Sequence, residues 1–290
     1  MTSALPPILF NAALDRFRKE HQVLAIPTGR YRARVWTWGN GPDLLFIHGM
    51  SDRSDSFVSI ASELSKNYRC IGYDLAGVDP NDGAKLFGYK HTHLAEDAIA
   101  ILDNLGVGES NILAASFGTT IAQRLLHDYP GRFPAAILQG AFPHRPLGWK
   151  NYLMALVGRF LGKKPMLSFP KYDQTLHAVY GNDFAHREAE AWNWFLQCVG
   201  NSPLGTMAHQ ACMIANLDLR PILPSISQPV LLLCGEKDKV VKPQATAPLV
   251  KLLPNREHFL HPEWGHVPCY THPEEMVDQV QRFLRAKGLS

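Results

Sequence analysis

The sequence contains, at residues 111–120, the stretch Asn111-Ile-Leu-Ala-Ala-Ser116-Phe-Gly118-Thr-Thr120. An apolar run here leads to Ser116, which has Ala114 two positions before it and Gly118 two positions after it. A serine on a very sharp strand-to-helix turn requires small residues at both positions, because larger side chains would collide. Such a turn lifts the hydroxyl above the sheet edge and directs the first amides of the next helix towards a developing anion. The same spacing also occurs where a serine only caps a helix, so the rest of the chain must distinguish the two.

Short apolar runs alternate with helical patterns through most of the chain. The expected strands are residues 31–38, 43–48, 70–74, 110–115, 135–139 and 230–234. The expected helices are residues 54–65, 92–105, 118–128, 243–253 and 273–286. Continuous apolar runs are typical of a parallel sheet covered on both faces, and strand–helix alternation implies right-handed crossovers. We therefore predict an α/β fold with a doubly wound, mostly parallel sheet.

The alternation is interrupted between about residues 141 and 215, where helical patterns and aromatic residues occur without a convincing strand. We predict residues 1–140 as the first part of the sheet core, 141–215 as an inserted helical cap, and 216–290 as the second part of the core. An ordinary helical subdomain that only adds core is the alternative. The aromatic residues could line an acyl or aryl pocket, although at helical spacing they more often form core.

The composition mainly excludes function classes. The chain has 290 residues, of which 46% are apolar and 19% charged, and this excludes a disordered protein. The net charge of +3 gives no reason to expect a nucleic-acid partner or an anionic membrane. The five cysteines form no CxxC pair, so we expect free thiols and a reducing compartment. No secretory signal and no apolar stretch of bilayer length is visible, and we expect a cytoplasmic protein without stable membrane insertion.

Three further segments carry motifs that can be compared with the stretch around Ser116. Phe46-Ile-His48-Gly49-Met50 ends an early apolar run, Gly235-Glu-Lys-Asp238 follows a late one, and Trp264-Gly265-His266 precedes the last helix. In this order the segments resemble the α/β-hydrolase fold family, in which a nucleophile, an acid and a histidine follow one another along the chain. The resemblance implies the lidded α/β-hydrolase fold.

The resemblance also implies a role for each residue that matches a motif. Ser116 would be the nucleophile, His266 the general base and Asp238 the acid that orients the histidine. The backbone amides of Met50 and Phe117 would form the oxyanion hole. The residues expected beside the substrate are His48, which would also orient the oxyanion loop, Gly49 and Trp264.

The implied reaction is hydrolysis of a carboxylic ester bond in a small or medium acyl substrate, through an acyl-enzyme on Ser116. It requires no metal and no organic cofactor. Serine at this position disfavours the dehalogenases and epoxide hydrolases of this fold that have aspartate there, and the types that have cysteine. Two alternatives stay open. One is carbon–carbon bond hydrolysis or acyl transfer by the same three residues, and the other is ligand binding without catalysis.

Other residues compete for these roles. Asp74 and Asp218 are rival acids, although Asp74 more often anchors its own turn. His91 and His93 do not complete a metal motif, and we expect them to be solvated loop histidines. The run Ile8 to His21 is amphipathic, and we expect it to pack on the core rather than to attach to a membrane surface. Its apolar side contains Leu9, Ala13, Leu14 and Phe17.

Overall fold

The computed structural model describes residues 5–184 and 186–289. Their strands are β1 (Gln22–Pro27), β2 (Arg32–Trp38), β3 (Asp43–Ile47), β4 (Arg69–Tyr73), β5 (Asn111–Ala115), β6 (Ala136–Gln139), β7 (Val230–Gly235) and β8 (Arg256–His261). These strands form one sheet in the order β1-β2-β4-β3-β5-β6-β7-β8. The neighbours from β4 to β8 pair in parallel, whereas β2 is antiparallel to both β1 and β4. The predicted mostly parallel sheet is therefore confirmed.

Helices cover both faces of this sheet. They are α1 (Phe10–Glu20), α2 (Val58–Leu64), α3 (His91–Asn104), α4 (Phe117–Asp128), α5 (Trp149–Gly158), α6 (Tyr172–Tyr180), α7 (Ala189–Gly200), α8 (Leu204–Ala215), α9 (Pro243–Leu252), α10 (Pro268–Thr271) and α11 (Pro273–Ala286). One apolar layer contains Ile101 of α3 and Ile121 of α4, and the other contains Phe17 of α1 and Val280 of α11. Because both faces are covered, strands β6 and β7 are buried along their whole length, which explains their continuous apolar sequence. The doubly wound α/β fold is confirmed.

The range 141–215 lies between β6 and β7 and contains α5 to α8. Among its described residues the only β-pairing consists of isolated bridges. Side chains tie this range to the sheet domain: Thr206 donates to the carbonyl of Gly77 at 2.6 Å, and Trp194 Nε1 donates to the carbonyl of Asp55 at 3.2 Å. The exact division of the chain at residues 140 and 215, and the action of this range as a cap, stay predictions.

The N-terminal region differs from expectation in two details. The amphipathic run does pack on the core through α1, where Phe10 and Phe17 are buried, but Leu9 is 59% exposed and does not belong to its apolar side. The strand β1 had no counterpart among the expected strands. Its pattern is weak because five of its six residues are exposed and only Ile26 is buried.

The helices of the described residues were compared with the length and hydropathy that a bilayer requires. None of them is both long enough and apolar enough to cross a membrane. All five cysteines are free and buried.

Candidate active site

The turn between β5 and α4 places Ser116 in a strained backbone conformation, with φ 50° and ψ −119°. Its amide donates to the carbonyl of Gln139 on the neighbouring strand at 2.8 Å, which holds the turn against the sheet edge. A Cβ atom added to Gly118 would lie 2.4 Å from the carbonyl oxygen of Ile47, so only glycine fits there without a shift. The strand, turn and helix around Ser116 are thus those that the spacing of small residues predicts.

Asp238 and His266 are brought together from two separate loops at the same edge of the sheet. His266 Nδ1 lies 2.8 Å from Asp238 Oδ2, and both side chains are buried. The other carboxylate oxygen, Oδ1, accepts the amides of Val240 and Val241 at 2.8 and 2.7 Å. These two bonds fix the carboxylate so that Oδ2 faces the imidazole. The backbone of His266 is held in turn by Gln139, whose Nε2 donates to its carbonyl at 3.1 Å.

The loop after β3 lies beside Ser116. A Cβ atom added to Gly49 would be 3.3 Å from Ser116 Cβ, so this backbone closely approaches the serine. Met50 is partly buried, and Phe117 is the first residue of α4. The first amides of a helix have no acceptor within the helix, so the amide of Phe117 is available to a ligand. The oxyanion-hole assignment of Met50 and Phe117 stays a prediction.

The side chain of His48 holds this loop through hydrogen bonds of both ring nitrogens. Its Nε2 accepts the amide of Leu75 at 3.0 Å, and its Nδ1 therefore carries the proton and donates to the carbonyl of Gly49 at 2.8 Å. Burial lowers the pKa of His48, so the imidazole is neutral near pH 7. The ring is fully buried and both nitrogens are occupied, so the hydrogen bonds of His48 serve to hold this loop. Its place beside the substrate stays a prediction.

The side chain of Trp264 is likewise held by contacts within the chain. Its indole is fully buried, donates to Glu275 at 2.9 Å and stacks on His261. The side chain therefore packs against β8 and α11, and the place of Trp264 beside the substrate stays a prediction. Its backbone carbonyl contributes to the site indirectly, since it accepts the amide of Lys237 at 3.0 Å in the turn that carries Asp238.

The rival acids have other partners. Asp74 Oδ1 accepts the amide and the hydroxyl of Ser54 at 2.9 and 2.8 Å, so this carboxylate anchors the turn after the oxyanion loop. Asp218 forms a bidentate pair with Arg220 at 2.7 and 2.8 Å, and these hydrogen bonds lower its pKa to about 2. Neither has a hydrogen bond to His266 among the described residues.

Sequence reasoning missed Asp52, a partly buried carboxyl two residues after Met50. One of its oxygens accepts the amide of Arg53 at 2.8 Å and the hydroxyl of Ser56. Burial raises the pKa of Asp52 to about 7, although these two hydrogen bonds and the charge of a protonated His266 lower it. The only available signal was its position in the loop that follows the His-Gly motif, since burial by distant segments cannot be read from the residue itself.

The inserted range lies against the loops of this site. The ring of Tyr180 is centred 6.3 Å from the ring of His266, and burial raises the pKa of its phenol. Gln210 Oε1 accepts the amide of Ser51 at 3.0 Å, next to the oxyanion loop. The carboxylate of Asp183 packs on the backbone of Gly265, where an added Cβ would lie 2.0 Å from it. Three separate parts of the range therefore contact the predicted catalytic loops.

The expectation of solvated loop histidines is wrong for His91. It is the first residue of α3 and is buried, with Nε2 lying 2.9 Å from the hydroxyl of Thr120. Burial lowers its pKa to about 4, so the ring is neutral. His93 is partly exposed, and its Nδ1 accepts the amide of Lys90 at 3.2 Å at the beginning of the same helix.

Most of the sequence matches a known protein family. The chain matches the alpha/beta hydrolase fold family over residues 42–273, which include Ser116, Asp238 and His266. This range covers more than half of the sequence. The chain therefore belongs to the α/β-hydrolase fold family, and the resemblance seen in its motifs is confirmed.

Curated relatives and solved structures agree with this family. A pimeloyl-[acyl-carrier protein] methyl ester esterase of Nitrosomonas europaea is 27% identical over 254 residues, which cover 84% of this chain and 96% of the relative. A 2-(acetamidomethylene)succinate hydrolase of Mesorhizobium japonicum is 24% identical over 266 residues, covering 90% of this chain and 94% of the relative. The structure of a thermophilic esterase from Thermogutta terrifontis superposes with a TM-score of 0.79 at 20% identity, covering 92% of this chain and 99% of that one, and this likeness concerns the fold alone. Family and relatives together identify the chain as an enzyme, a hydrolase.

Proposed function

We propose that this enzyme is a serine hydrolase that cleaves a carboxylic ester of a small or medium acyl substrate through an acyl-enzyme on Ser116. The observation that carries the proposal is the 2.8 Å contact between His266 Nδ1 and Asp238 Oδ2, at the sheet edge where Ser116 occupies its strained turn. A nucleophile, a base and an orienting acid are the three groups that this chemistry requires.

The hydrogen-bond pattern supports a definite role for each nitrogen of His266. A carboxylate only accepts hydrogen bonds, so the contact with Asp238 requires a proton on Nδ1 and leaves Nε2 as the acceptor. Nε2 is then free to take the proton of the Ser116 hydroxyl as the new bond forms, because the unprotonated nitrogen of a neutral imidazole is a proton acceptor. Asp238 would stabilise the resulting imidazolium without taking its proton.

The remaining steps need a site for the developing oxyanion. The amides of Met50 and Phe117 would donate to it, and one such donor is typically worth about 3–4 kcal/mol of transition-state stabilisation. The imidazolium of His266 would protonate the leaving alcohol, which separates and leaves the acyl group on Ser116. Water, deprotonated by His266, would attack this acyl group and release the acid. The range 141–215 would act as the cap that shapes the acyl pocket, since it contacts the loops of Ser51 and His266.

The ester class is favoured by the relative of Nitrosomonas europaea, whose name describes an esterase. The relative of Mesorhizobium japonicum is named a hydrolase of a succinate derivative, so the same three residues in this chain could also serve a different acyl bond. The site residues proposed here are common to both reactions. We propose the ester as the substrate class because it is the default reaction of a serine nucleophile supported by such a pair.

Turnover of p-nitrophenyl acetate and p-nitrophenyl butyrate tests the proposal. The Ser116→Ala variant should lose hydrolysis of both esters while its circular dichroism spectrum stays unchanged. Ser62→Ala is a matched control, because the hydroxyl of Ser62 donates only to the carbonyl of Ser59, in α2. Retention of turnover in Ser116→Ala, or equal losses in both variants, would refute the proposed nucleophile.

A further inference from the structure

The first half of the inserted range exposes an apolar surface. Within α5 only Ala155 is buried, whereas Trp149 is 73% exposed and Met154 is 69% exposed. The surface continues past the helix to Phe160, which is 75% exposed, and to Phe169, which is more than half exposed. Contiguous apolar surface of this kind is unusual on a soluble protein and marks an interaction site. We refer to the exposed surface of residues 145–171 as the basic apolar face.

The same residues carry a one-sided charge. The range 145–171 contains six basic residues and no aspartate or glutamate, the six being Arg145, Lys150, Arg159, Lys163, Lys164 and Lys171. By contrast, residues 172–215 contain four acidic residues and only one basic residue, Arg187. Within the described parts of the chain, none of the six is in an ion pair with a carboxylate. Lys163 lies near Asp82, where burial raises the pKa of the carboxyl and the charge of Lys163 offsets part of that rise. The positive charge of the face is therefore largely uncompensated.

A groove lies alongside α5, between this helix, α8 and the turns around residues 161–172. Its volume is about 710 Å³, and its walls are almost entirely apolar, including Leu153, Leu161, Met166 and Leu204. An apolar groove of this kind can receive hydrocarbon chains, and lysines elsewhere in the same range can keep their ammonium groups at the level of polar headgroups.

We propose that the basic apolar face docks this enzyme on an anionic lipid surface, with α5 lying in the plane of the interface. Trp and Phe side chains are suited to the boundary between headgroups and acyl chains, and lysines next to them are attracted by anionic headgroups. The arrangement is peripheral and agrees with the absence of a membrane-crossing helix among the described residues. A second copy of the chain is a poorer occupant. A two-fold interface would place the same patch on both sides, so the exposed lysines of the two copies would face one another. These are Lys150, Lys163, Lys164 and Lys171.

Vesicle co-sedimentation of the full chain tests the proposal. The protein should bind vesicles of equal parts phosphatidylglycerol and phosphatidylcholine at low ionic strength, bind pure phosphatidylcholine much more weakly, and be released by salt. The double variant Lys163→Glu/Lys164→Glu should lower partitioning onto the anionic vesicles by roughly 30-fold or more, since each charge near such a surface is worth about fivefold. Trp149→Ser/Phe160→Ser should lower it by about tenfold or more, because these exposed rings would be the inserted groups.

Matched controls lie on the sheet domain. Lys251→Glu/Arg256→Glu makes the same charge change at exposed positions, and Leu9→Ser/Val23→Ser removes exposed apolar side chains. Both controls, and Ser116→Ala, should bind vesicles as the unchanged protein does, so docking is tested separately from catalysis. Every variant should keep the circular dichroism spectrum of the unchanged protein, so that a loss of vesicle binding reports on the altered surface and not on unfolding.

Two results would overturn the proposal. The first is that the protein fails to bind anionic vesicles at low ionic strength, or that its binding is equally affected by the face variants and by the controls. The second is a dimer, detected by sedimentation velocity without lipid, that Trp149→Ser/Phe160→Ser dissociates while vesicle binding is absent. In that case the face would be an interface between copies.

Discussion

The carboxyl edge of the sheet and the first half of the inserted range differ in the burial of their apolar residues. Around Ser116 the apolar residues of β3 and β5 are buried between two helical layers, and the polar groups are held by short hydrogen bonds. Along α5 the apolar residues are exposed next to unpaired lysines. Contacts within the chain explain the first region, whereas the proposed docking on a lipid surface would explain why the second is exposed.

The comparison also shows how an overall charge can mislead. A net charge of +3 over 290 residues gives no reason to expect an anionic partner. That small value combines a stretch of six basic residues, 145–171, with an acidic stretch that follows it directly. Charge should therefore be examined for each segment that the fold places on one face, because a surface responds to its local field.

The largest expected effect concerns the acid. Asp238→Asn should lower kcat for p-nitrophenyl butyrate by about 10⁴-fold, because an amide at this position favours the wrong imidazole tautomer. The measurement is steady-state kinetics on folded protein, checked by circular dichroism. Asp74→Asn is the control and should retain most of its turnover per folded molecule, since Asp74 holds Ser54. If Asp74→Asn abolished turnover and Asp238→Asn did not, the assignment of the acid would be wrong.

The next prediction compares the loss of unfolding free energy on replacing two phenylalanines, one from each region. Phe46 is fully buried between Trp36 and Phe57, so Phe46→Ala should lower the free energy of unfolding by about 3–5 kcal/mol. Phe160 is 75% exposed, so Phe160→Ala should change it by about 0.5 kcal/mol or less. Urea denaturation measures both. A large loss in Phe160→Ala would mean that the basic apolar face is part of the core, which would break the comparison.

A third effect depends on pH and concerns Asp52. Its folded pKa of about 7 lies above its unfolded value of 3.8, so the folded state keeps a proton that the unfolded state releases. The retained proton contributes to the free energy of unfolding. This contribution is fully present below about pH 4 and is lost as the pH rises to about 7. The difference in unfolding free energy between the unchanged protein and Asp52→Asn should therefore fall by roughly 2–4 kcal/mol over this interval.

Urea denaturation of both proteins at several pH values measures this difference. Titration of the buried His91 is common to the two proteins and cancels in the comparison. A difference that stays constant between pH 4 and 7 would show that Asp52 is already ionised in the folded state.

The smallest effect concerns the elbow glycine. Gly118→Ala should lower the free energy of unfolding by about 1–3 kcal/mol, because its Cβ would press on the carbonyls of Ile47 and His48. Turnover should fall as well, since these carbonyls belong to the oxyanion loop. Gly131→Ala is the matched control and should be close to neutral, because nothing lies within 4 Å of an added Cβ there. Equal effects of the two substitutions would argue against the tight approach at Gly118.

The sheet could be predicted from the sequence where burial is complete. Strands β3 to β7 are continuous apolar runs because helices cover both of their faces, and the runs alone identify them. The strand β1 was missed because it lies at the edge of the sheet, where a mostly exposed strand has no strong pattern.

The site could be predicted only as far as motifs determine it. The motifs place Ser116, Asp238 and His266 on the loops that follow β5, β7 and β8. Since β7 and β8 are neighbours in the sheet, the contact between Asp238 and His266 follows from the topology. The motifs do not determine the direction of a neighbouring side chain, such as that of Trp264, which packs against β8 and α11. The raised pKa of Asp52 could not be predicted either, because it comes from burial that separate segments create together.

Peptide mass spectrometry after reaction with a fluorophosphonate tests the central claim, that Ser116 is a nucleophile activated by His266, most directly. The account predicts a single stoichiometric adduct on the peptide that contains Ser116, and a strongly reduced rate of labelling in His266→Gln. An adduct on another serine, or labelling of Ser116 that is equally fast without His266, would contradict it.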